Sequence, residues 1–82
     1  MFTVYILYSK VYDRYYIGQT NDISDRIQRH NNGEVASTKP YIHWVICLTI
    51  NKETRSESII LERKLKNLAR SRLIQFIDKY KG

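Results

Sequence analysis

Two short runs rich in β-branched and aromatic residues open the chain, "FTVYILYS" over 2–9 and "RYYIGQ" over 14–19, and only a turn-like stretch at residues 9–13 connects them. A connection that short predicts two antiparallel strands, which fixes the first third of any fold this sequence adopts. Five of the chain's seven tyrosines, Tyr5, Tyr8, Tyr12, Tyr15 and Tyr16, fall in this hairpin. Cross-strand aromatic pairing accounts for part of that enrichment.

The remaining elements follow from capping signals and periodicity. Asn21 and Asp22 are good helix-capping residues, Asp25 adds negative charge to a first turn, Ile23 and Ile27 repeat at i, i+4, and Gly33 supplies a stop; the helix is expected over about residues 22–32. "GEVASTKPYI" contains the only proline and reads as a loop. In "IHWVICLTI" the large residues Ile42, Trp44, Ile46, Leu48 and Ile50 recur at a period of two with mostly apolar residues between, predicting a central strand covered on both sides. Thr54 with Glu57 forms a capping box before a helical run through Ile60, Leu61, Leu65 and Leu68, and a last segment turns Leu73, Ile74, Phe76 and Ile77 inward. The expected order is ββαβαα, an α+β fold with a three-stranded antiparallel sheet flanked by helices, in one domain over residues 1–82.

With 82 residues the core is modest, so any active site is expected on an open surface. A single cysteine, Cys47, excludes an internal disulfide. No apolar stretch approaches the roughly 18 residues of a membrane span and no secretory leader pattern is visible, so a cytoplasmic protein without membrane contact is expected. The net charge of +6 is one-sided: residues 1–62 hold seven Lys/Arg and seven Asp/Glu, whereas 63–82 hold seven Lys/Arg and one Asp. Such an excess suits a polyanionic partner such as nucleic acid, and equally a solvated charged face.

At about 100° per residue, with Ile23 at 0°, Ile27 lies near 40°, His30 near 340° and Arg26 near 300°, while Arg29 falls on the opposite side. Arg26 and His30 therefore edge the face that meets the protein. Because burying such groups without partners costs several kcal/mol, two readings stay open: a snorkelling arginine with a satisfied histidine, or an anion clamp and proton-transfer group lining a cleft. On the second helix Arg63, Lys66 and Arg70 cluster opposite the predicted core, with Glu62 at the boundary. Glu62 reads either as an i,i+4 partner of Lys66 or as the kind of single oxygen ligand that suffices for Mg²⁺. A tyrosine beside a metal and an arginine is expected to have its ionised form favoured, and Gly18 to let a substrate backbone approach closely.

Taken in order, "TVYIL", the ten residues between Tyr5 and Tyr16, "YIGQTND", Arg26 with His30 at R-x-x-x-H, and "LERKLK" around Glu62 resemble the GIY-YIG nuclease superfamily, in particular its small stand-alone bacterial members. The first motif reads Thr3-Val4-Tyr5, retaining the tyrosine alone, and no C-terminal residue matches the asparagine that some relatives add. The resemblance implies a phosphodiesterase site in which Tyr5, Tyr16, Arg26 and His30 are catalytic and Glu62 holds one Mg²⁺ or Mn²⁺. It implies action on nucleic acid, DNA rather than RNA; because no base-reading element is visible, a preference for structure, ends or single strands rather than sequence is expected. Substrate contacts are expected from Lys39, Arg63, Lys66, Arg70 and Arg72. Its rivals are a module of the same fold that binds nucleic acid without cutting it, with a partner protein for targeting, and a protein-interaction domain. For Tyr5 and Tyr16 to share a site in a regular hairpin, paired residue numbers must sum to an odd value such as 21; a sum of 22 would set Tyr16 opposite Ile6 and separate them.

Overall fold

The strand on which the rest packs is β1 (Phe2–Ser9), whose Val4, Tyr5, Ile6 and Leu7 are all buried. The computed structural model describes residues 1–81; Gly82, the end of the expected domain, lies outside the described residues. β2 (Arg14–Thr20) and β3 (Val45–Lys52) flank β1 antiparallel, giving the strand order β2-β1-β3. Helix α1 (Ile23–Asn31) follows β2, a short 3₁₀ turn covers Lys39–Tyr41, and α2 (Arg55–Lys66) and α3 (Arg70–Lys81) follow β3. The architecture is the expected ββαβαα with a three-stranded antiparallel sheet.

Two features of the sheet differ from expectation. β3 is an edge strand, not the central one, and Val45 and Ile46 are 58% and 45% exposed. An unbroken apolar run does not by itself say which strand is doubly covered; that position falls to β1, where consecutive buried residues face opposite layers. The second difference is a bulge: Ile6 pairs with Leu48 but Leu7 with Ile46, so Cys47 is the extra residue. The slip sets Ile46 on the opposite face from Leu48 and Ile50, breaking the single stripe that the period of two implies.

Each face of the sheet has its own core. On one side Tyr5, Leu7 and Trp44 meet Tyr16 and the α1 residues Ile23 and Ile27. On the other, Val4, Ile6 and Ile17 meet Leu65 of α2 and Leu73 and Ile77 of α3. The caps form as expected: the Asp22 side chain accepts from the Asp25 backbone N–H, Thr54 from that of Glu57, and Gly33 follows α1 with a φ of +76°.

Helix α2 is rotated relative to the expected face. Ser58 is fully buried, its hydroxyl donating to the Arg55 carbonyl at 2.7 Å, whereas Ile60 is 68% exposed. A small residue with its hydroxyl satisfied within the helix lets α2 lie close against β2, and the inward face centres on Ser58, Leu61 and Leu65. That rotation carries Glu62 inward, leaving its side chain 19% exposed. The expected basic stripe is also interrupted, because α2 ends at Lys66 with Asn67 as its cap and Arg70 opens α3. No helix among the described residues is long and apolar enough to cross a membrane.

The rotated face has a direct test in urea unfolding. Leu65→Ala is expected to lower stability by about 2–5 kcal/mol, as for buried leucines, and Ile60→Ala by no more than about 0.5 kcal/mol. Comparable losses in both variants would restore the face read from periodicity.

Candidate active site

Paired residues of β1 and β2 sum to 23, so Tyr5 lies opposite Gly18 and Leu7 opposite Tyr16. The odd sum sets Tyr5 and Tyr16 on the same face, their ring centroids 6.3 Å apart. A Cβ on Gly18 would overlap the Tyr5 phenol oxygen and lie 2.6 Å from the ring carbon bearing it. The glycine thus seats the Tyr5 ring across the hairpin. This corrects the expected role of Gly18, because the space above it is occupied by protein and not open to a substrate backbone.

Tyr5 reaches His30, near the C-terminus of α1, with 2.9 Å between the phenol oxygen and Nε2. The other ring nitrogen, Nδ1, lies 2.8 Å from Thr38 Oγ1, and the Thr38 hydroxyl donates to the Val35 carbonyl at 3.3 Å. That network assigns the tautomer: Nδ1–H donates to Thr38, leaving Nε2 to accept from Tyr5. Thr38 is held in turn, since its carbonyl accepts from Trp44 Nε1 at 3.0 Å. Asn31 fixes the entry to β3 with two bonds to the Trp44 backbone, at 2.7 and 2.9 Å. The Tyr16 ring completes the cluster 4.9 Å from His30.

His30 is therefore fully buried, beyond the edge position expected of it, and satisfied on both nitrogens. Burial first, then the nearby Arg26 charge, holds its pKa below the ordinary imidazole value, so the ring is neutral. For Tyr5 the expected shift is reversed: burial, reinforced by Tyr16 and Glu62 and only partly opposed by Arg26, pushes the phenol well above its ordinary value. The charges of Arg26 and Glu62 both reach the Tyr5 phenol, from helices packed on opposite faces of the sheet.

Arg26 is half-buried and makes no ion pair among the described residues, leaving its guanidinium available. With Gln19, Asn21 and Arg55 it lines a small cleft of about 140 Å³. Glu62 pairs with Lys66 at 3.3 Å, so the ion pair read as one alternative is present. No cluster of three or more His, Cys, Asp or Glu side chains is found among the described residues. A single, mostly covered carboxylate fits a hard ion that keeps water and substrate oxygens as its other ligands; it does not make a zinc site. Of the other cationic candidates, Lys39, Arg63 and Arg72 are exposed, while Arg70 pairs with Asp13.

Sequence reading missed Thr38, Asn31 and Arg55. Arg55 is the first residue of α2 and signals nothing by spacing. Thr38 lies in a loop whose path only the folded chain defines, although a polar residue facing a buried histidine is what burial demands.

Two tyrosines on one face of a hairpin, packed against a helix that carries an arginine and a histidine, form the centre of this domain. The GIY-YIG catalytic domain model matches residues 1–76, and the chain belongs to that family. Its members are nucleases acting on nucleic acid and generally depend on a divalent metal. The chain is also similar to the UPF0213 protein BH0048 from Bacillus halodurans, whose solution NMR structure it matches with a TM-score of 0.62 and 28% identity, over 95% of this chain and 84% of that one. No curated protein matches the chain.

The lowered His30 pKa makes a stability prediction. The neutral ring is favoured in the folded state, so its contribution is complete above the unfolded value near 6.5 and is lost as pH falls from there through the lower folded value. Thermal unfolding between pH 7 and 5.5 should show stability falling with pH by at most about 1.4 kcal/mol per unit, the limit for one proton. His30→Gln should lower stability at pH 7 and flatten that slope; an unchanged slope would exclude His30 as its source.

Proposed function

We propose that the protein is a metal-dependent endonuclease that hydrolyses phosphodiester bonds in DNA, with a preference for structure over sequence. The observation that carries this reading is the buried Tyr5–His30 hydrogen bond, in a chain whose GIY-YIG domain match spans residues 1–76. Glu62 is the residue to hold one Mg²⁺ or Mn²⁺, which when bound supplies Lewis-acid charge stabilisation at a phosphate oxygen. Arg26, free of an internal carboxylate, neutralises a second phosphate oxygen as negative charge develops in the transition state.

Proton removal from the attacking water falls to Tyr5 together with His30. A free phenolate is disfavoured in this buried position, so Tyr5 accepts the water proton only as it passes its own to Nε2. The pair starts as phenol and neutral imidazole and ends as phenol and imidazolium, with Thr38 still accepting from Nδ1–H. The proton lost by water thus comes to rest on His30 and Tyr5 never carries a charge. Tyr16, the more exposed tyrosine, borders the same cluster and positions the phosphate. Exposed cations on α2 and α3 supply sequence-independent attraction to the backbone.

The test is incubation of linear, branched and single-stranded DNA with Mg²⁺ or Mn²⁺ and with chelator, alongside binding measurements. Nicking should require metal, and Glu62→Gln should abolish it while binding persists. Tyr5→Phe should lower kcat by about 10²- to 10⁴-fold, the range of general-base catalysis. The kcat profile should lose activity on the acid side, below pH 6.5, as His30 protonates, and should show no dependence on phenol ionisation near pH 10. Binding without metal-dependent cleavage of any of these DNAs would identify a non-cutting nucleic-acid module instead.

A further inference from the structure

Beside β2, a second and larger cleft of about 660 Å³ runs from Tyr16 toward the turn between α2 and α3. Its volume is that of a small-ligand site, roughly 300–1,000 Å³. Leu65, Leu68 and Leu73 supply apolar surface, and Tyr12, Tyr15 and Tyr16 bring aromatic rings to the same space. Arg14, Lys66 and Arg70 are its cations.

Each of the cations is held in place by a neighbouring protein group. Arg70 is fixed by Asp13, with contacts of 2.6 Å to its carboxylate and 2.8 Å to its carbonyl, and the Tyr8 hydroxyl also donates to that carboxylate at 2.7 Å. Asp13 reaches this position from a left-handed backbone conformation with φ of 52°, so the hairpin turn is shaped around the contact. The Arg14 guanidinium lies 4.1 Å above the Tyr41 ring, whose edge meets Tyr12 at 5.4 Å between centroids. Lys66 joins this cleft to the candidate metal-binding carboxylate through its 3.3 Å pair with Glu62.

We infer that this cleft binds unpaired nucleotides adjacent to the scissile phosphate, so that the substrate is a single-stranded segment or a nucleotide displaced from a duplex. Apolar side chains and aromatic rings recognise the flat faces of bases, and neighbouring cations recognise the phosphates that link them. An intact duplex keeps its base faces stacked and offers the cleft only backbone. The inference rests on the nuclease reading for what happens at Tyr5 and Glu62, but binding in the cleft requires neither metal nor cleavage.

Binding is therefore measured in chelator, with the full chain and three DNAs carrying 2-aminopurine: a single strand, a blunt duplex and a duplex with a single-stranded flap. The probe should change fluorescence in the single strand and the flap but not in the duplex. Tyr12→Ala should weaken single-strand binding roughly 5- to 100-fold, the range for loss of one base-stacking ring, and leave duplex binding within about twofold. Arg72→Ala, outside the cleft, should weaken all three alike. Equal affinities for duplex and single strand, or an unresponsive probe, would overturn the cleft assignment even if DNA is cut with metal. A responsive probe with no cleavage in Mg²⁺ or Mn²⁺ supports the cleft assignment and defeats the nuclease reading.

Discussion

The buried hydrogen bond between Tyr5 and His30 constrains the rest of the molecule more than any other contact. It ties the central strand to α1 across one core, and it forces a chain of further choices, because a buried imidazole must have both nitrogens satisfied. Thr38 meets that demand, Trp44 and Val35 hold Thr38, and Asn31 anchors the backbone of Trp44. The loop after α1 is therefore ordered by polar bonds that all lead back to one ring. Gly18 belongs to the same set, since the Tyr5 phenol reaches His30 only where the opposite strand lacks a side chain.

Much of this was legible in the sequence where local periodicity decides. The hairpin, the caps at Asp22 and Thr54, the inward angle of Arg26 and His30 and the parity that places two tyrosines together all depend on short-range geometry. What was not legible depends on the partner an element meets. A run such as residues 42–50 reads as doubly covered because its residues are apolar, yet the central place goes to β1, and a one-residue bulge divides the run between two faces. Ile60 reads as core, yet it is exposed and a fully buried position on α2 goes to Ser58, whose small side chain signals nothing in the apolar pattern. Glu62 turns further inward by the rotation of α2, to a side-chain exposure of 19%, without any change in its own neighbours along the helix.

The layered arrangement also explains how so small a core assembles a site from distant parts of the chain. Arg26 and Glu62 belong to helices packed on opposite faces, and across a sheet only three strands wide the charge of each still reaches the Tyr5 phenol. β2 is an edge strand, and its surroundings carry Arg14, Lys66 and Arg70. Charged residues at an edge oppose pairing with a strand of another molecule, and the same residues favour a polyanion.

Burial then decides what chemistry the tyrosine can perform. In water a phenol gives up its proton more readily than this one, and an imidazole accepts one more readily than His30, so each group alone is a poorer catalyst for having been enclosed. In the proposed mechanism the hydrogen bond between them removes the first penalty, because the phenol need never become an anion, and a phosphate bound nearby would offset the second by stabilising the imidazolium. The Arg26 charge opposes the imidazolium, and a phosphate held by Arg26, as proposed, would neutralise that charge. In the proposed mechanism, phosphate binding by Arg26 would raise the proton affinity of His30 and so couple capture of the phosphate to activation of the base.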